Sequence, residues 1–264
     1  MGLDPLQYVL GAGSGGLVGF TLGLVGGGGS ILAVPLIVYL VGVPDAHLAI
    51  GTSALAVAAN ALSGLVNHAR AHTVKWRCGV FYALSGIIGA FLGSSFGKLV
   101  SGQKLLFLFA LLMILVGIVM FKKRHNAGLE GAECNRQNAP KVLSFGFGTG
   151  LFSGFFGIGG GFLIVPGLIA ATRMPMLNAV GTSLVAVTAF GLTTALNYAR
   201  SGMVEWMLAL VFILGGVGGS YGGTWAARRL SGSRGQLTTI FAGLIFVVAF
   251  YMLWRSSSAI LHLL

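Results

Sequence analysis

Charge is what this sequence has least of. Only 8% of its 264 residues are charged, whereas an ordinary soluble domain carries about a quarter. Acidic residues are the rarest, and the five of them are Asp4, Asp45, Glu130, Glu133 and Glu205. None falls inside a long apolar run. Cation carriers and many proton relays place carboxylates within the membrane, so the sequence argues against a cationic substrate and against ion coupling through carboxylates.

Cysteines and catalytic motifs are also scarce. Cys78 and Cys134 stand alone and far apart in the sequence, which predicts neither a metal cluster nor a disulfide framework. No G-x-x-x-x-G-K-[ST] loop is present to bind ATP. His68 is expected at the surface, with proton coupling as the alternative. No nucleophile, base or metal ligands stand at catalytic spacing, so we expect neither an enzyme nor a cofactor.

What the sequence has instead is long apolar stretches. Eight of them contain no Asp, Glu, Lys or Arg, and they cover residues 5–44, 46–69, 78–97, 105–121, 142–172, 174–199, 206–227 and 235–254. A helix needs about 20 apolar residues to cross the core of a bilayer, and most of these stretches are long enough. The sequence therefore predicts an all-α polytopic membrane protein surrounded by lipid. The beginning of the sequence lacks the basic flank of a signal peptide, so its apolar run is expected to remain as a helix.

The chain also contains a duplication. Residues 51–76 (GTSALAVAANALSGLVNHARAHTVKW) and 181–206 (GTSLVAVTAFGLTTALNYARSGMVEW) are identical at 12 of 26 positions without a gap. Upstream, GGGGSILAVP at 26–35 matches GIGGGFLIVP at 157–166. Self-similarity of this kind marks two copies of one structural unit. We predict a first transmembrane repeat at 1–121, a charged cytoplasmic linker at 122–141 and a second transmembrane repeat at 142–264.

Each repeat can be read as about five helical segments, of which the second is short. Residues 30–42 would span about 20 Å as a helix, less than the roughly 30 Å of the hydrocarbon core. We therefore predict a half-helix, broken from the preceding helix by glycine. If every segment changes sides, 12 of the 16 Lys and Arg residues lie on one side, and if the repeats are parallel the split is 10 to 6. The positive-inside rule favours the first, inverted arrangement.

The net charge of +11 fits the same rule, because the basic residues lie in short loops between the apolar stretches. We interpret this charge as a signal of topology, with some attraction for anions through the summed field, and expect no nucleic-acid partner. Inverted repeats with discontinuous helices are a common plan for secondary transporters.

The two glycine runs are the first candidates for a binding site. A helix start presents unpaired N–H groups and a partial positive charge, which suit an anion, and no basic residue lies within a predicted span. The alternative is that these glycines serve close packing between helices. The candidate donors are Gly28, Gly29 and Ser30 in the first repeat and Gly159, Gly160 and Gly161 in the second.

Polar residues shared by the two repeats complete the candidate set. Hydroxyls at the start of the third segment could donate to an oxyanion or cap a helix, and they are Thr52, Ser53, Thr182 and Ser183. Asn67 and Asn197 could touch substrate, although hydrogen bonds between helices are the favoured interpretation. Arg70 and Arg200 lie at the membrane surface, where anchoring is favoured over electrostatic attraction of the anion.

These motifs resemble those of a known family. The paired glycine-rich motif ending in Pro35 and Pro166, the Gly-Thr-Ser start and the Asn-x-Ala-Arg end are similar to the sulfite exporter TauE/SafE family of membrane permeases. The resemblance covers essentially the whole chain. It implies transport of small sulfur-containing anions such as sulfite, sulfoacetate, thiosulfate or organosulfonates across a bacterial inner membrane. The two half-sites differ, because Gly161 stands opposite Ser30.

We therefore expect a secondary transporter of the exporter type. The alternative within transport is an anion channel or a carrier of another small organic anion. An intramembrane enzyme is the remaining class, and the absence of a catalytic constellation speaks against it. The oligomeric state stays open.

Overall fold

The chain is described by a computed structural model that covers residues 4–122, 134–135, 137–157, 161–230, 239, 243 and 245–254. Across these residues the regular structure is entirely helical, which confirms the predicted all-α class. The helices are α1 (Pro5–Val25), α2 (Ala33–Pro35), α3 (Ala46–Arg70), α4 (Trp76–Gly97), α5 (Gly102–Lys122), α6 (Ala139–Phe156), α7 (Gly161–Thr172), α8 (Met176–Ala199), α9 (Trp206–Leu230) and α10 (Ile245–Trp254). Among the described helices, five are long and apolar enough to cross a membrane, namely α1, α3, α4, α8 and α9.

The second segment of each repeat is short and broken from its predecessor. After α1 the chain forms a 3-10 helix over Gly26–Leu32, the short α2, and a π-helical turn over Leu36–Leu40. In the second repeat, α6 gives way to α7, which has 12 residues. The glycines that end α1 and α6, Gly26 and Gly157, both have φ of 67°. Glycine adopts positive φ without the steric cost that other residues meet, which explains why both helices stop at a glycine.

Glycines let two pairs of helices pack backbone against backbone. A Cβ added to Gly15 would overlap the backbone of Phe212 on α9, and one added to Gly19 would overlap that of Gly216. Both contacts advance by four residues in the same sense, so α1 and α9 run parallel. Helices α4 and α6 pack in the same way, through the pairs Gly89–Phe147, Gly93–Leu151 and Gly97–Phe155. Small residues of this kind line helix interfaces in membranes because they allow close approach.

These pairings are reciprocal between the predicted repeats. The first segment of each repeat, α1 or α6, packs along the fourth segment of the other, α9 or α4. The two third segments, α3 and α8, cross in opposite directions, since Gly64 lies beside Leu184 while Gly191 lies beside Ala58. The two third segments therefore point in opposite directions. An inverted relation of the repeats would give this crossing, and the inversion stays a prediction.

The molecule has two ends of different charge. One end, called the basic end, holds the turn after α3 and the starts of α4 and α8, which are joined by the bonds Lys75 N–H to Thr182 and Asn178 to Thr73. Its described charged residues are all basic, namely Arg70, Lys75, Arg77, Lys141, Arg173, Arg228 and Arg229. The opposite end, called the mixed end, carries Asp4, Asp45, Lys98, Lys104, Arg200 and Glu205.

The cysteines correct one prediction made from the sequence. We expected no disulfide, but Cys78 and Cys134 form one, with Cα atoms 5.3 Å apart. Cys78 lies in the first turn of α4, and Cys134 precedes α6 by a few residues. Because α6 packs along α4 from its first turns, the two sulfurs meet despite a separation of 56 residues in sequence. The rest of the predicted linker, residues 123–133 and 136, lies outside the described residues.

His68 corrects another expectation, since it is not at the surface. Its side chain is fully buried, with Nδ1 2.9 Å from Thr73 Oγ1 and Nε2 3.0 Å from the Gly23 carbonyl oxygen. A carbonyl oxygen only accepts hydrogen bonds, so Nε2 carries the proton in this contact. His68 thereby joins the end of α1 to the turn that follows α3.

Candidate functional site

The two glycine breaks meet inside the molecule. A Cβ added to Gly161 would overlap the backbone of Gly27, and one added to Gly27 would lie 2.6 Å from Gly161 Cα. The same added Cβ on Gly27 would lie 2.6 Å from Cγ2 of Val187, which is halfway along α8. The meeting point is therefore near the middle of the spans. Of the predicted donors, Gly159 and Gly160 lie outside the described residues.

Two serine hydroxyls fill the meeting point. Ser183 Oγ accepts the Gly27 N–H at 3.0 Å and donates to the Val180 carbonyl at 2.8 Å. Ser30 Oγ accepts the Gly161 N–H at 3.3 Å and donates to the Gly27 carbonyl at 2.8 Å. Both serines are fully buried. Each of these backbone N–H groups, one from either break, is thus directed at an oxygen atom in the interior.

The backbone N–H groups of the predicted donors in the first repeat form hydrogen bonds within their own helical segment. Gly28, Gly29 and Ser30 lie in the 3-10 helix Gly26–Leu32. In such a helix the N–H of residue i bonds to the carbonyl of residue i−3, so the N–H groups of Gly29 and Ser30 point back along the chain. The Gly29 carbonyl also accepts the Thr21 hydroxyl at 3.3 Å. Gly27, which the sequence interpretation left out, instead contributes an N–H that is directed at Ser183 of α8.

Thr52 and Thr182 make the same contact in the two repeats. Thr52 Oγ1 accepts the N–H of Glu205, the residue before α9, and Thr182 Oγ1 accepts the N–H of Lys75, the residue before α4. Both distances are 2.9 Å. Each threonine therefore caps a neighbouring helix of the other repeat rather than its own helix. Ser53, beside Thr52, donates to the Ile50 carbonyl at 2.9 Å.

Asn197 is held in a polar cluster at the mixed end. Its Nδ2 donates to Ser94 and Ser95 at 2.6 and 3.0 Å, and its Oδ1 accepts from Lys98 Nζ at 2.9 Å. Lys98 also donates to the Asn197 carbonyl and to Ser201. This arrangement matches the interpretation of Asn197 as a hydrogen-bonding residue between helices. Lys98 was missed, although it aligns with Arg228 in the repeat and so carried a sequence signal.

Asn67, the counterpart of Asn197, differs from it, because its Nδ2 is buried without a hydrogen bond. Arg70 and Arg200 are exposed at opposite ends of the molecule, one turn or less beyond these asparagines. The structure therefore separates the predicted site residues into a central group and two terminal groups. Within the part of the chain that the structure describes, the residues brought together in the middle are Gly27, Ser30, Gly161 and Ser183.

Comparison with known proteins agrees with this architecture. The family model for the sulfite exporter TauE/SafE matches residues 11–252. A "Probable membrane transporter protein" of Xylella fastidiosa (strain Temecula1 / ATCC 700964) is 55% identical over 245 residues, which cover 92% of this chain and 94% of the relative. The "Probable membrane transporter protein YdhB" of Bacillus subtilis (strain 168) is 27% identical over 211 residues, covering 78% and 85% of the two chains. No solved structure matches the chain.

The family match spans both halves of the duplication and includes both glycine breaks, both capping threonines and both asparagines. The relatives are aligned over most of their own length, so the whole chain and not one helix pair carries the similarity. The helical, multi-pass fold agrees with their designation as membrane transporters and not enzymes. The chain belongs to the sulfite exporter TauE/SafE family of membrane transporters.

Proposed function

We propose that the protein is a secondary transporter that exports small sulfur-containing anions, such as sulfite, sulfoacetate, thiosulfate or organosulfonates, across a bacterial inner membrane. The observation that carries the proposal is the central meeting of Gly27 and Gly161, where both backbone N–H groups are directed at buried serine oxygens. An anion in the membrane must replace its hydration shell, and N–H groups at helix breaks can do so without a buried cation.

In the proposed site, the serine hydroxyls stand where oxygens of the anion would accept hydrogen bonds. Ser183 Oγ and Ser30 Oγ accept from the same N–H groups that would serve an oxyanion. A hydroxyl can also donate, so rotation of either serine would turn a competitor for the N–H group into a further donor to the substrate. Tetrahedral or pyramidal sulfur oxyanions offer several oxygens, which suits donors arriving from two directions.

The charge of the two ends supports an orientation for the transporter. The positive-inside rule assigns the basic end to the cytoplasm, and the mixed end, with Lys98 and Asn197, then faces the other compartment. Contacts from Lys98 to Asn197 and Ser201 bring the end of α4 and the end of α8 to one side. A parallel arrangement of the repeats would place the end of α4 and the end of α8 on opposite sides of the membrane.

Side-specific labelling tests this orientation. Single cysteines introduced by Ser101→Cys and Ser201→Cys, on a background lacking Cys78 and Cys134, are expected to react with an impermeant maleimide from the same, periplasmic side. Both serines are exposed. Arg70→Cys is the matched control and should label only from the cytoplasmic side. Labelling of Ser101→Cys and Ser201→Cys from opposite sides would establish parallel repeats instead.

Flux measurements in proteoliposomes test the substrate. We expect saturable, electrically or proton-driven flux of sulfite, thiosulfate, sulfoacetate or an organosulfonate, and no requirement for sodium, since no carboxylate lies within a described span. Acetate and lactate serve as controls for a carrier of other organic anions. Flux that never saturates and follows voltage alone would identify an anion channel, and flux of carboxylates only would overturn the assignment to sulfur anions.

A further inference from the structure

Asn60, in the middle of α3, carries a carboxamide with no hydrogen bond to either of its polar atoms. The residue is fully buried, and both Nδ2 and Oδ1 are without a partner. Its carboxamide lies against Gly216 of α9, in the space that any Cβ at position 216 would fill. A buried amide is costly in a membrane unless something bonds to it. The amide is therefore available to a bonding partner from outside the fold.

The second repeat has no such group at the corresponding place. Phe190 aligns with Asn60 in the duplication, and Gly86 aligns with Gly216. The Phe190 ring occupies the space over Gly86 and stacks on Tyr82, with ring centroids 6.4 Å apart. The same backbone arrangement thus holds an amide on one side of the molecule and an aromatic ring on the other.

A row of polar side chains connects Asn60 to the basic end along the interface of α3 and α9. Ser63 and Ser220 lie one turn further on, with their hydroxyl oxygens 3.0 Å apart. The register of these two parallel helices then places Asn67 opposite Thr224, and the Nδ2 of Asn67 is again without a partner. His68 is buried at the end of the row, and Arg228 of α9 lies at the same end of the molecule.

The corresponding interface of α8 and α4 is closed at the mixed end. There, Lys98 ties Asn197 and Ser201 together, and both polar atoms of the Asn197 carboxamide are bonded. In the middle of this interface, Phe190 occupies the position that corresponds to Asn60. The two interfaces are therefore alike in backbone but differ in the middle of the membrane, where one holds Asn60 and the other holds Phe190.

We propose that Asn60 donates from Nδ2 to an oxygen of the transported anion, and that the polar row from Asn60 through Ser63 and Ser220 to Asn67 is the route between the central site and the basic end. This inference rests on the proposed transport of a small sulfur oxyanion and adds a residue and a route to it. Phe190 fills the place in the other interface that corresponds to Asn60, so we expect no equivalent route to the mixed end.

Substitution of Asn60 tests the binding role. Asn60→Leu is expected to raise the concentration for half-maximal transport at least tenfold while the thermal stability stays equal or rises, because leucine removes an unbonded amide. Asn60→Gln should recover part of the affinity. Thr194→Val is the matched control, since Thr194 is also fully buried with an unbonded hydroxyl but lies outside the row, and its affinity should not change. Unaltered affinity in Asn60→Leu, or a large loss of its stability, would overturn the binding role.

Thiol accessibility tests the route without depending on the substrate. Ser63→Cys, on a background lacking Cys78 and Cys134, should react with 2-sulfonatoethyl methanethiosulfonate applied at the basic end and not at the mixed end. Thr193→Cys, at the corresponding place on α8, should react from neither end. If sulfite protects Ser63→Cys from this reaction, the substrate occupies the same route. If the wild-type protein moves no sulfur anion, the proposed function fails, whereas reaction of Ser63→Cys from the mixed end alone contradicts the route itself.

Discussion

Replacing Gly161 with alanine is expected to abolish transport. A Cβ at this position would overlap the Gly27 carbonyl group, and the atoms it meets belong to backbone that cannot rotate away. The two breaks must then move apart, at a cost of about 1–3 kcal/mol for overpacking. Even a protein that tolerates this strain loses the bond from the Gly161 N–H to Ser30, which at 3.3 Å is already long. The Gly27 and Gly161 N–H groups would then no longer lie at one site.

Flux and thermal stability should be measured together on Gly161→Ala. Gly13→Ala is the matched control, because Gly13 is exposed on α1 and an added Cβ there meets nothing within 4 Å. We expect the control to transport at the wild-type rate. Gly161→Ala should still reach the membrane, with a lowered melting temperature and no saturable flux. Wild-type affinity in this variant would show that the central meeting point takes no part in binding.

The second large effect is expected from the two capping threonines. Thr52→Val and Thr182→Val keep the shape of the side chain but remove the oxygen that accepts the N–H of Glu205 or Lys75. Loss of a cap or of a buried acceptor costs about 1–2 kcal/mol. Each variant should therefore melt about 2–8 °C lower than the wild type. Because the two contacts share no residue, the double variant should lose about the sum of the two changes.

Thermal unfolding in detergent can measure this additivity, with Thr188→Val as the control. The Thr188 hydroxyl donates only to the Leu184 carbonyl of its own helix, at 2.8 Å, so its removal leaves no N–H group exposed. A shift of less than about 1–2 °C is expected for a loss of a few tenths of a kcal/mol. If Thr52→Val lowers stability and Thr182→Val does not, the two repeats are not equivalent at this contact.

Much of the fold follows from local features of the sequence. The charge-free runs predict the spans because a helix needs about 20 apolar residues to cross the bilayer core, and most described helix ends lie within three residues of an end of one of these runs. The breaks at Gly26 and Gly157 were also predictable, because a glycine run before a short apolar segment favours a change of backbone direction. The duplication then identified two pairs of corresponding residues, which are Thr52 with Thr182 and Asn67 with Asn197.

What the sequence could not predict is which helix each of these residues meets. The hydroxyl of Thr52 was expected to cap its own helix or to bind substrate, yet it accepts from Glu205. That choice depends on the approach of α9, which is decided by the glycine contacts of α1 and α9 over their whole length. Asn60 carried no signal either, because the duplication replaces it with Phe190. Its importance appears only when the absence of a hydrogen bond can be seen in the fold.

The Cys78–Cys134 bond bears on the order in which the molecule is assembled. It closes a covalent ring that contains α4 and α5 and ends a few residues before α6 begins. If the basic end faces a reducing cytoplasm, thiols there do not pair on their own. Closure of the bond then needs an oxidant that takes up two electrons and two protons, and the packed glycine faces of α4 and α6 hold the two sulfurs where such an oxidant can join them. Once closed, the ring ties the chain just before α6 to the first turn of α4 and so keeps the two helices close to one another.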